Sequence, residues 1–293
     1  MKNYLLLGFI TLAACFTPIF AKITVAEISP LSLGFFRFSG AAVLFYFTLK
    51  ARGLNLKFDK KDYPRLFLLA LLCIPVNQFF FLTGIKLTYA SHSGIIYSLN
   101  PVYAYVIAVL LRNEKFYYSK LFAISLTVIG IFFVFYEGFS GTAAADGVLK
   151  GDFLLLFAVL SFSLYLTLGK TTLDKYGALK VSAFVFILGS VFNIPFFIYD
   201  LPNFTLVHLT YKGILGFAFL TVIVSYLAYF AWYYALKSIA VSKVATLSNV
   251  SPLLTVLFSV LFLGDTISIF FIIGAAITLA GVFIMHRITI ELS

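Results

Sequence analysis

One arginine stands inside a stretch that otherwise consists mainly of apolar residues. Arg37 lies about six residues into the run 31–49, which the 1.5 Å rise of a helix places about 9 Å from the end of the run. If the run crosses a membrane, a guanidinium this far from its end is costly and commonly serves a function. In a cavity it would attract a carboxylate or a phosphate. The alternative is that Arg37 extends to a polar surface or binds the C-terminus of a helix.

Two prolines occupy the middle of later apolar runs. Pro101 and Pro252 each lie about ten residues into their runs. Because proline lacks an N–H, carbonyl groups of the preceding turn, near Tyr97 and Ser248, lose their donor. The polar neighbours of the prolines are Ser98, Asn100, Asn249 and Ser251. Free carbonyls beside polar side chains predict a binding site or a gate, and the alternative is a kink that only improves helix packing.

Further polar side chains occur in other apolar runs. Asn and Gln are costly when they face lipid, so we expect inward positions for Asn77 and Gln78. The other candidates bear hydroxyls or aromatic rings: Ser161, Ser163, Tyr165, Ser225, Tyr226, Tyr229, Trp232 and Tyr233. With 36 Phe and 18 Tyr in the chain, most rings are expected to pack helices or face lipid. For His92, near the end of its run, we expect an interfacial position rather than a role in proton transfer.

The composition restricts the protein to one broad class. Of 293 residues, 62% are hydrophobic and 11% are charged, and the mean hydropathy is +1.06. Soluble domains are about 45–50% apolar and about 25% charged, and they cover their outside with polar side chains. A water-soluble enzyme, a disordered protein and a disulfide scaffold are therefore excluded. Cys15 and Cys73 lie in apolar runs and are expected to be core residues.

Charged and turn residues divide the apolar sequence into ten stretches. Each is continuously apolar and about 20 residues long, which suits a spanning helix, whereas barrel strands alternate over about ten residues. The sequence thus predicts an all-α, polytopic membrane protein with ten transmembrane helices, at 3–21, 31–49, 66–85, 91–111, 119–137, 152–170, 181–199, 213–235, 243–263 and 268–286.

The basic residues predict the orientation. With the N-terminus in the cytoplasm, 16 Lys and Arg residues fall on the cytoplasmic side and four on the outside, apart from Arg37. This asymmetry predicts an inner (plasma) membrane protein with both termini on the cytoplasmic side. The alternative for the N-terminus is a lipoprotein signal at Leu12–Cys15, which would remove the first helix. The apolar run continues to Ala21 and argues against it.

An internal repeat with an offset of 151 residues divides the chain. The aligned positions are Ser91 with Ser242, Asn100–Pro101 with Ser251–Pro252, Glu114 with Asp265, Thr127 with Thr278 and Gly130 with Gly281. We predict two five-helix halves, 1–137 and 151–293, joined by the linker 138–150. Because five is odd, the second half must lie inverted in the membrane, an arrangement typical of secondary transporters.

Together these features resemble a known family. The mid-helix prolines, the acidic residue that ends the fourth and ninth helices and the glycines of the fifth and tenth are similar to those of the drug/metabolite transporter superfamily, in particular its EamA-type branch. The resemblance covers nearly the whole chain. It implies a helix bundle with a central cavity and, usually, export of amino acids or related metabolites. An arginine in the second helix is common there.

The acidic residues avoid the middle of the predicted helices. All eleven lie at helix ends or in loops, which disfavours a carboxylate proton relay or a cation site built on carboxylates. Glu114 and Asp265 are expected to complement the dipole at the N-terminus of the helix that follows each of them. Close helix packing is predicted at the small residues Thr127, Gly130, Ala276, Ala280 and Gly281.

The predicted function is secondary transport by alternating access. The substrate would be a small polar metabolite, an amino acid or a related acidic or zwitterionic compound, moved in the direction of export. A passive channel and a membrane-embedded enzyme are the alternatives. The enzyme is disfavoured because the three histidines are scattered and no metal-ligand spacing or nucleotide loop occurs. We expect no cofactor, metal or nucleic acid. The expected partners are the substrate and the lipid bilayer, and the choice between monomer and homodimer stays open.

Overall fold

The computed structural model describes residues 2–139, 143–204, 209–231 and 241–291, and it gives the backbone alone at 2–4, 137–138, 143–145, 203, 241–249 and 290–291. Within these ranges the chain is helical and contains no strand. The predicted all-α class is confirmed.

The described helices form ten segments, called spans 1 to 10 below. Some consist of two or three pieces, because a π-helical turn or a break interrupts them. Their bounds are Lys2–Val25 (span 1), Pro30–Ala51 (span 2), Tyr63–Leu71 with Leu72–Val76 and Asn77–Leu87 (span 3), Ala90–Tyr97 with Asn100–Leu110 (span 4), Tyr118–Phe135 (span 5), Ala143–Tyr176 (span 6), Ala178–Asp200 (span 7), Tyr211–Ala218 with Phe219–Ala228 (span 8), Val241–Leu263 (span 9) and Ile269–Glu291 (span 10).

In the described part, nine of these segments are long and apolar enough to cross a membrane, and span 9 contributes the shorter apolar helix Val250–Leu263. Many large apolar side chains on the outside of the bundle are exposed, as a lipid environment requires. Span 6 begins at Ala143, so much of the predicted linker 138–150 is the start of a helix. Alanine has the highest helix propensity, which accounts for this early start.

Spans 3 and 8 each contain a π-helical segment at equivalent positions of the repeat. In span 3 the segment is Leu72–Val76, and in span 8 it is Phe219–Ala228. The offset of 151 places 72–76 onto 223–227, inside the second segment. Pro75 cannot donate to the carbonyl four residues earlier, which explains the wider turn in span 3. Such π-bulges are rare and frequently occur at functional sites.

Span 4 is broken where the sequence predicts a disturbance. Its first piece ends at Tyr97, and the backbone N–H groups of Ser98 and Leu99 donate to carbonyls three residues earlier, at 3.1 Å each. Pro101 lies in the first turn of the second piece, where proline is tolerated. Span 9 instead continues through Pro252. The two halves therefore differ in conformation at equivalent prolines.

Spans 5 and 10 pack closely through glycines, and their contacts are reciprocal. A Cβ added to Gly130 would clash with Thr278, and a Cβ added to Gly281 would clash with Thr127. In the register of the repeat, 127 corresponds to 278 and 130 to 281. Exchanging the two halves therefore converts each contact into the other, which is the property of an interface around a twofold axis.

The small face predicted for span 10 is partly wrong. Gly274, Thr278 and Gly281 form the contact with span 5, whereas Ala276 and Ala280 are exposed. Residues three or four positions apart share a helix face, but a residue two positions away from Gly274 or Thr278 points to another side.

Other contacts between spans also come in pairs that are converted into one another when the two halves are exchanged. Span 1 contacts spans 8 and 9, and span 6 contacts spans 3 and 4. Span 2 contacts span 8, and span 7 contacts span 3. Since spans 1 to 5 correspond to spans 6 to 10 in the repeat, each contact has a counterpart. The interface of span 2 with span 7 is its own counterpart.

Substituting either contact glycine should destabilise the bundle to a similar extent. The Cβ of Gly130→Ala would lie 2.7 Å from the Gly274 oxygen, and that of Gly281→Ala 2.8 Å from the Ala123 oxygen. Overpacking of this kind costs about 1–3 kcal/mol. Thermal unfolding of the purified protein should show a lowered midpoint for both variants. In Gly147→Ala the Cβ meets no atom within 4 Å, so this control should leave the midpoint unchanged or raise it, since alanine has the higher helix propensity. A midpoint that falls for only one of the two variants would contradict the reciprocal interface.

Candidate functional site

Arg37 lies between the two spans that contain π segments. Its side chain is only 3% exposed. Its Nε donates to Ser225 Oγ in span 8 (2.8 Å), and its Nη1 donates to Gln78 Oε1 in span 3 (3.3 Å). Ser225 belongs to the π segment of span 8, and Gln78 is the second residue after the π segment of span 3. Arg37 thus connects equivalent regions of the two repeats.

Both of these partners of Arg37 are uncharged. Among the described residues, no carboxylate forms an ion pair with it. The neutral side chains of Tyr229, Tyr97 and Cys73 lie near its guanidinium. An arginine in a protein is always protonated, and a buried charge without a counter-ion costs several kcal/mol. Arg37 therefore has a strong capacity to bind an anion.

A chain of amides fixes the orientation of Gln78. Asn77 Nδ2 donates to the Ala158 carbonyl in span 6 (2.7 Å), and Gln78 Nε2 donates to Asn77 Oδ1 (2.6 Å). Because the nitrogen of the Gln78 amide is used in this way, its oxygen is presented to Arg37. Both amides lie inside the bundle, and Asn77 is buried.

The three predicted tyrosines lie at different places in the bundle. Tyr165 is 3% exposed and lies beside Cys73. The Tyr226 hydroxyl lies 2.6 Å from Thr48 Oγ1, and Tyr97 is half-buried. Phenol groups offer both hydrogen bonds and ring faces to a small molecule. The sequence identified the tyrosines but treated Cys73 as an ordinary core residue.

The polar residues next to the prolines connect helices of opposite halves. Ser163 in span 6 donates to Asn100 Oδ1 (2.8 Å), and Ser251 Oγ lies 3.3 Å from Cys15 Sγ in span 1. Spans 6 and 1 correspond in the repeat, so the two contacts are counterparts. Ser98 Oγ donates to the Ile95 carbonyl of its own helix (2.6 Å).

The prolines themselves differ in their surroundings. Pro101 is exposed at the bundle surface and Pro252 is buried, so Pro101 can influence the interior only through the break in span 4. Ser161 Oγ donates to the Leu72 carbonyl at the start of the π segment in span 3 (2.8 Å). The side chains of four further candidates lie outside the described residues, namely Trp232, Tyr233, Ser248 and Asn249.

A small, open pocket between spans 2, 3 and 7 is lined in part by Gln78. Its lining also includes Asn193, which is 5% exposed and whose Nδ2 has no hydrogen-bond acceptor in the described part of the chain. Sequence reasoning missed Asn193, because only the fold brings span 7 next to the amide that contacts Arg37.

A buried histidine–carboxylate cluster joins the first turn of span 4 to span 6. Asp152 is 0% exposed and His92 is 1% exposed. His92 Nδ1 lies 2.8 Å from Asp152 Oδ2, Thr88 donates to Asp152 Oδ1 (2.5 Å), and the His92 ring stacks on Phe271 of span 10 (5.0 Å). His92 lies in the first turn of span 4, and its ring is buried between helices rather than exposed. The expectation that Asp152 lies at a helix end is wrong, because span 6 begins nine residues earlier, at Ala143. Asp152 supplies a buried partner for His92 that the sequence did not reveal.

The two acidic residues aligned by the repeat have different partners. Asp265 accepts hydrogen bonds from the backbone N–H of Ser91 (2.9 Å) and from its hydroxyl (3.0 Å). Glu114 is 51% exposed and lies 3.8 Å from Lys120 Nζ. The expectation that Asp265 acts on the helix that follows it is wrong, because it caps the first turn of span 4 in the other half. We call the two ends of the bundle the Ser91 end and the Glu114 end.

An exposed ion-pair network lies on the loop between spans 2 and 3. Lys175 Nζ, from the end of span 6, lies 2.5 Å from Asp59 Oδ2 and 2.6 Å from Asp62 Oδ2. The hydrogen bond from Lys175 lowers the pKa of the Asp59 carboxyl. The network therefore keeps its charge as the pH falls below the range in which a free aspartate is ionised.

Comparison with known proteins identifies the family. The model of the EamA-like transporter family matches residues 1–136 and again residues 149–287. The chain belongs to the EamA-like transporter family. This EamA protein is 28% identical over 285 residues to an uncharacterized transporter of Archaeoglobus fulgidus, covering 97% of this chain and 96% of that one. It is 26% identical over 264 residues to the uncharacterized transporter YyaM of Bacillus subtilis, covering 89% and 86%.

A solved protein structure shares the fold. It matches this EamA protein with a TM-score of 0.65 at 16% sequence identity, and the match covers 100% of this chain and 99% of that chain. With the family and the apolar spans, this establishes an integral, multi-pass membrane transporter of the ten-helix type.

Removing the carboxylate of Asp152 should destabilise this EamA protein strongly. In Asp152→Ala, His92 and Thr88 each lose a hydrogen bond to this carboxylate, and each such loss at a buried polar group costs about 1–3 kcal/mol. The thermal unfolding midpoint in detergent should therefore fall by many degrees. Asp146→Ala removes an exposed acid of the same span and should leave the midpoint unchanged. Equal midpoints for the two variants would show that the buried cluster contributes little.

Proposed function

We propose that this protein is a secondary transporter for a small metabolite with a carboxylate or phosphate group, an amino acid or a related acidic or zwitterionic compound. It would export this compound across a bacterial plasma membrane, with both termini in the cytoplasm. The observation that carries the proposal is the burial of Arg37 between two neutral partners, Gln78 and Ser225.

The energetics of Arg37 favour an anionic substrate. Its charge is permanent, and among the described residues no carboxylate compensates it. An anion that reaches the guanidinium recovers the Coulomb energy of a pair in a medium of low dielectric constant. A guanidinium also binds a carboxylate or phosphate through two parallel hydrogen bonds, which gives the site geometric selectivity.

The surroundings of Arg37 suit a small polar molecule. Amide and hydroxyl groups come from spans 3 and 8, and Tyr97 and Tyr229 lie nearby. These groups provide acceptors and ring faces for an ammonium group, which would fit the second charge of an amino acid. A substrate with a net positive charge would be repelled by Arg37.

Alternating access is supported by the relation between the two repeats. The contacts of spans 5 and 10 are reciprocal, the π segments of spans 3 and 8 coincide in the register, and the family model matches twice. Two inverted copies of one unit can exchange conformations, which gives two states of similar energy that open to opposite sides. Saturable transport with counterflow in proteoliposomes would distinguish such a carrier from a channel.

Placing a carboxylate next to Arg37 should abolish anion binding. In Gln78→Glu, a built-in counter-ion replaces the amide oxygen that lies 3.3 Å from the guanidinium. The wild type should be stabilised against heat by some members of a panel of L-glutamate, neutral amino acids, inorganic phosphate, sugar phosphates, nucleosides and quaternary amines. A ligand at 100 times its Kd adds about 2.7 kcal/mol. Gln78→Glu should lose this stabilisation.

The controls separate charge from shape. Arg37→Gln should also lose the anion response, whereas Gln78→Met keeps the charge of Arg37 and approximates the volume of glutamine, so it should retain at least part of the response. Anions that stabilise Arg37→Gln as strongly as the wild type would refute the role of Arg37. Stabilisation by quaternary amines alone would refute the anionic substrate class.

A further inference from the structure

Spans 4 and 9 meet at the Ser91 end of the bundle. The first piece of span 4 contacts span 9, whereas its second piece packs chiefly on span 6. Gly94 allows the close approach, since a Cβ there would lie 2.9 Å from the Thr255 side chain and 3.3 Å from the Pro252 carbonyl. Ser93 is 0% exposed and its neighbours Ser91 and His92 are 1% exposed. This end is therefore closed.

Asp265 holds the closed end together across the two halves. Its carboxylate accepts both the backbone N–H and the hydroxyl of Ser91, in the first turn of span 4. A carboxylate at the N-terminus of a helix satisfies backbone donors and complements the helix dipole. Separating spans 4 and 9 at this end requires that these hydrogen bonds break.

The repeat assigns an equivalent contact to the opposite end. In the 151-residue register, Asp265 corresponds to Glu114 and Ser91 to position 242, in the first turn of span 9. The close contact of Gly94 with Thr255 corresponds to positions 245 and 104, and both of these are alanine in the sequence. Small residues there permit the same close approach of the helices.

Glu114 is available for such a contact. It is 51% exposed, and the one ion pair that the described residues form with it, to Lys120, is 3.8 Å long. Its counterpart Asp265 makes two hydrogen bonds of 3.0 Å or less. Asp265 is thus hydrogen-bonded at its end of the bundle, whereas the equivalent residue Glu114 is largely exposed at the other end.

Other contacts between the halves occur at both ends at once. Glu27 binds the backbone N–H of Thr210 (2.7 Å) between spans 1 and 8, and Lys175 binds Asp59 (2.5 Å) between span 6 and the loop before span 3. Spans 1 and 8 correspond to spans 6 and 3 in the repeat, so these two contacts are counterparts. Both are formed in the same conformation. The contact of span 4 with span 9 is its own counterpart, and it is formed at the Ser91 end.

We propose that Asp265 and Glu114 are alternating gate residues. Asp265 closes the Ser91 end by capping span 4, and Glu114 closes the opposite end by capping the N-terminus of span 9 after the halves have exchanged conformations. The inference rests on the proposed transport by two inverted halves. It predicts that equivalent substitutions have opposite effects, because each removes a contact that exists in only one of the two states.

A thiol reporter at the Ser91 end measures the opening of that end. Ser93→Cys is introduced into a full-length chain in which Cys15 and Cys73, the two cysteines of the sequence, are replaced by alanine. The protein is placed in nanodiscs, so that a charged methanethiosulfonate reagent reaches both faces. Loss of a helix cap changes an equilibrium by about two- to thirtyfold. Asp265→Ala should raise the labelling rate by a factor in this range, and Glu114→Ala should lower it.

The controls make the outcome decisive. The double variant should label at nearly the rate of the parent, and Asp174→Ala, which removes an exposed acid, should leave the rate unchanged. Equal or same-direction changes for Asp265→Ala and Glu114→Ala would overturn the proposal. If Asp265→Ala fails to fold, Glu114→Ala alone still tests the proposal. An unchanged or raised labelling rate in that variant refutes the contact proposed at the Glu114 end.

A parallel measurement separates this inference from the substrate proposal. Thermal stabilisation by L-glutamate and by inorganic phosphate is recorded for the same variants, because neither gate residue contacts Arg37 in the described structure. Opposite labelling changes without any anion response in the parent would support the gates and refute the anionic substrate. An anion response in the parent without opposite labelling changes would refute the gates alone.

Discussion

A permanently charged guanidinium inside a membrane-embedded helix bundle must be balanced by its surroundings, and the candidate site is built around this requirement. Around Arg37 the protein supplies neutral oxygen atoms from both halves, Gln78 from span 3 and Ser225 from span 8. The Gln78 oxygen is held in place through Asn77 by a backbone carbonyl of span 6. Residues of three spans therefore hold the guanidinium of Arg37 in position. A site built in this way is ready for an anion that arrives with the substrate.

The repeat gives the bundle two kinds of interface. The contacts of spans 5 and 10 are reciprocal and fix the two halves to each other. The contact of spans 4 and 9 is closed at one end, and it is accompanied there by the buried pair of His92 and Asp152. The binding group is not repeated, because span 7, the counterpart of span 2, contains no arginine. Symmetric packing thus supports the exchange of conformations, while the single arginine sets the chemistry.

The sequence predicts the architecture well and the site in part. Continuous apolar runs and the 151-residue register depend only on residue type and spacing, so they led directly to the ten spans and to Arg37, Asn77, Gln78 and the tyrosines. The burial of His92, the capping of Ser91 by Asp265 and the position of Asn193 depend on which helices touch, and spacing along the chain does not encode that. The exposed positions of Ala276 and Ala280 show a related limit. Small residues indicate that a close contact is possible, but the helix face in contact is decided by the partner.

In the proposed function, the charge of Arg37 is met by the anionic group of the substrate. Solid-state NMR can test it directly, with guanidino-¹⁵N-arginine in the protein and a ¹³C-carboxylate in the anion that stabilises it best. We predict dipolar dephasing of the carboxylate signal by arginine nitrogen, since the two groups of such a pair lie within hydrogen-bonding distance, about 2.7–2.9 Å between nitrogen and oxygen. The dephasing should vanish in Arg37→Lys, which keeps the charge but removes the guanidino label. Dephasing that persists in that variant, or none in the wild type at saturating ligand, would contradict the account.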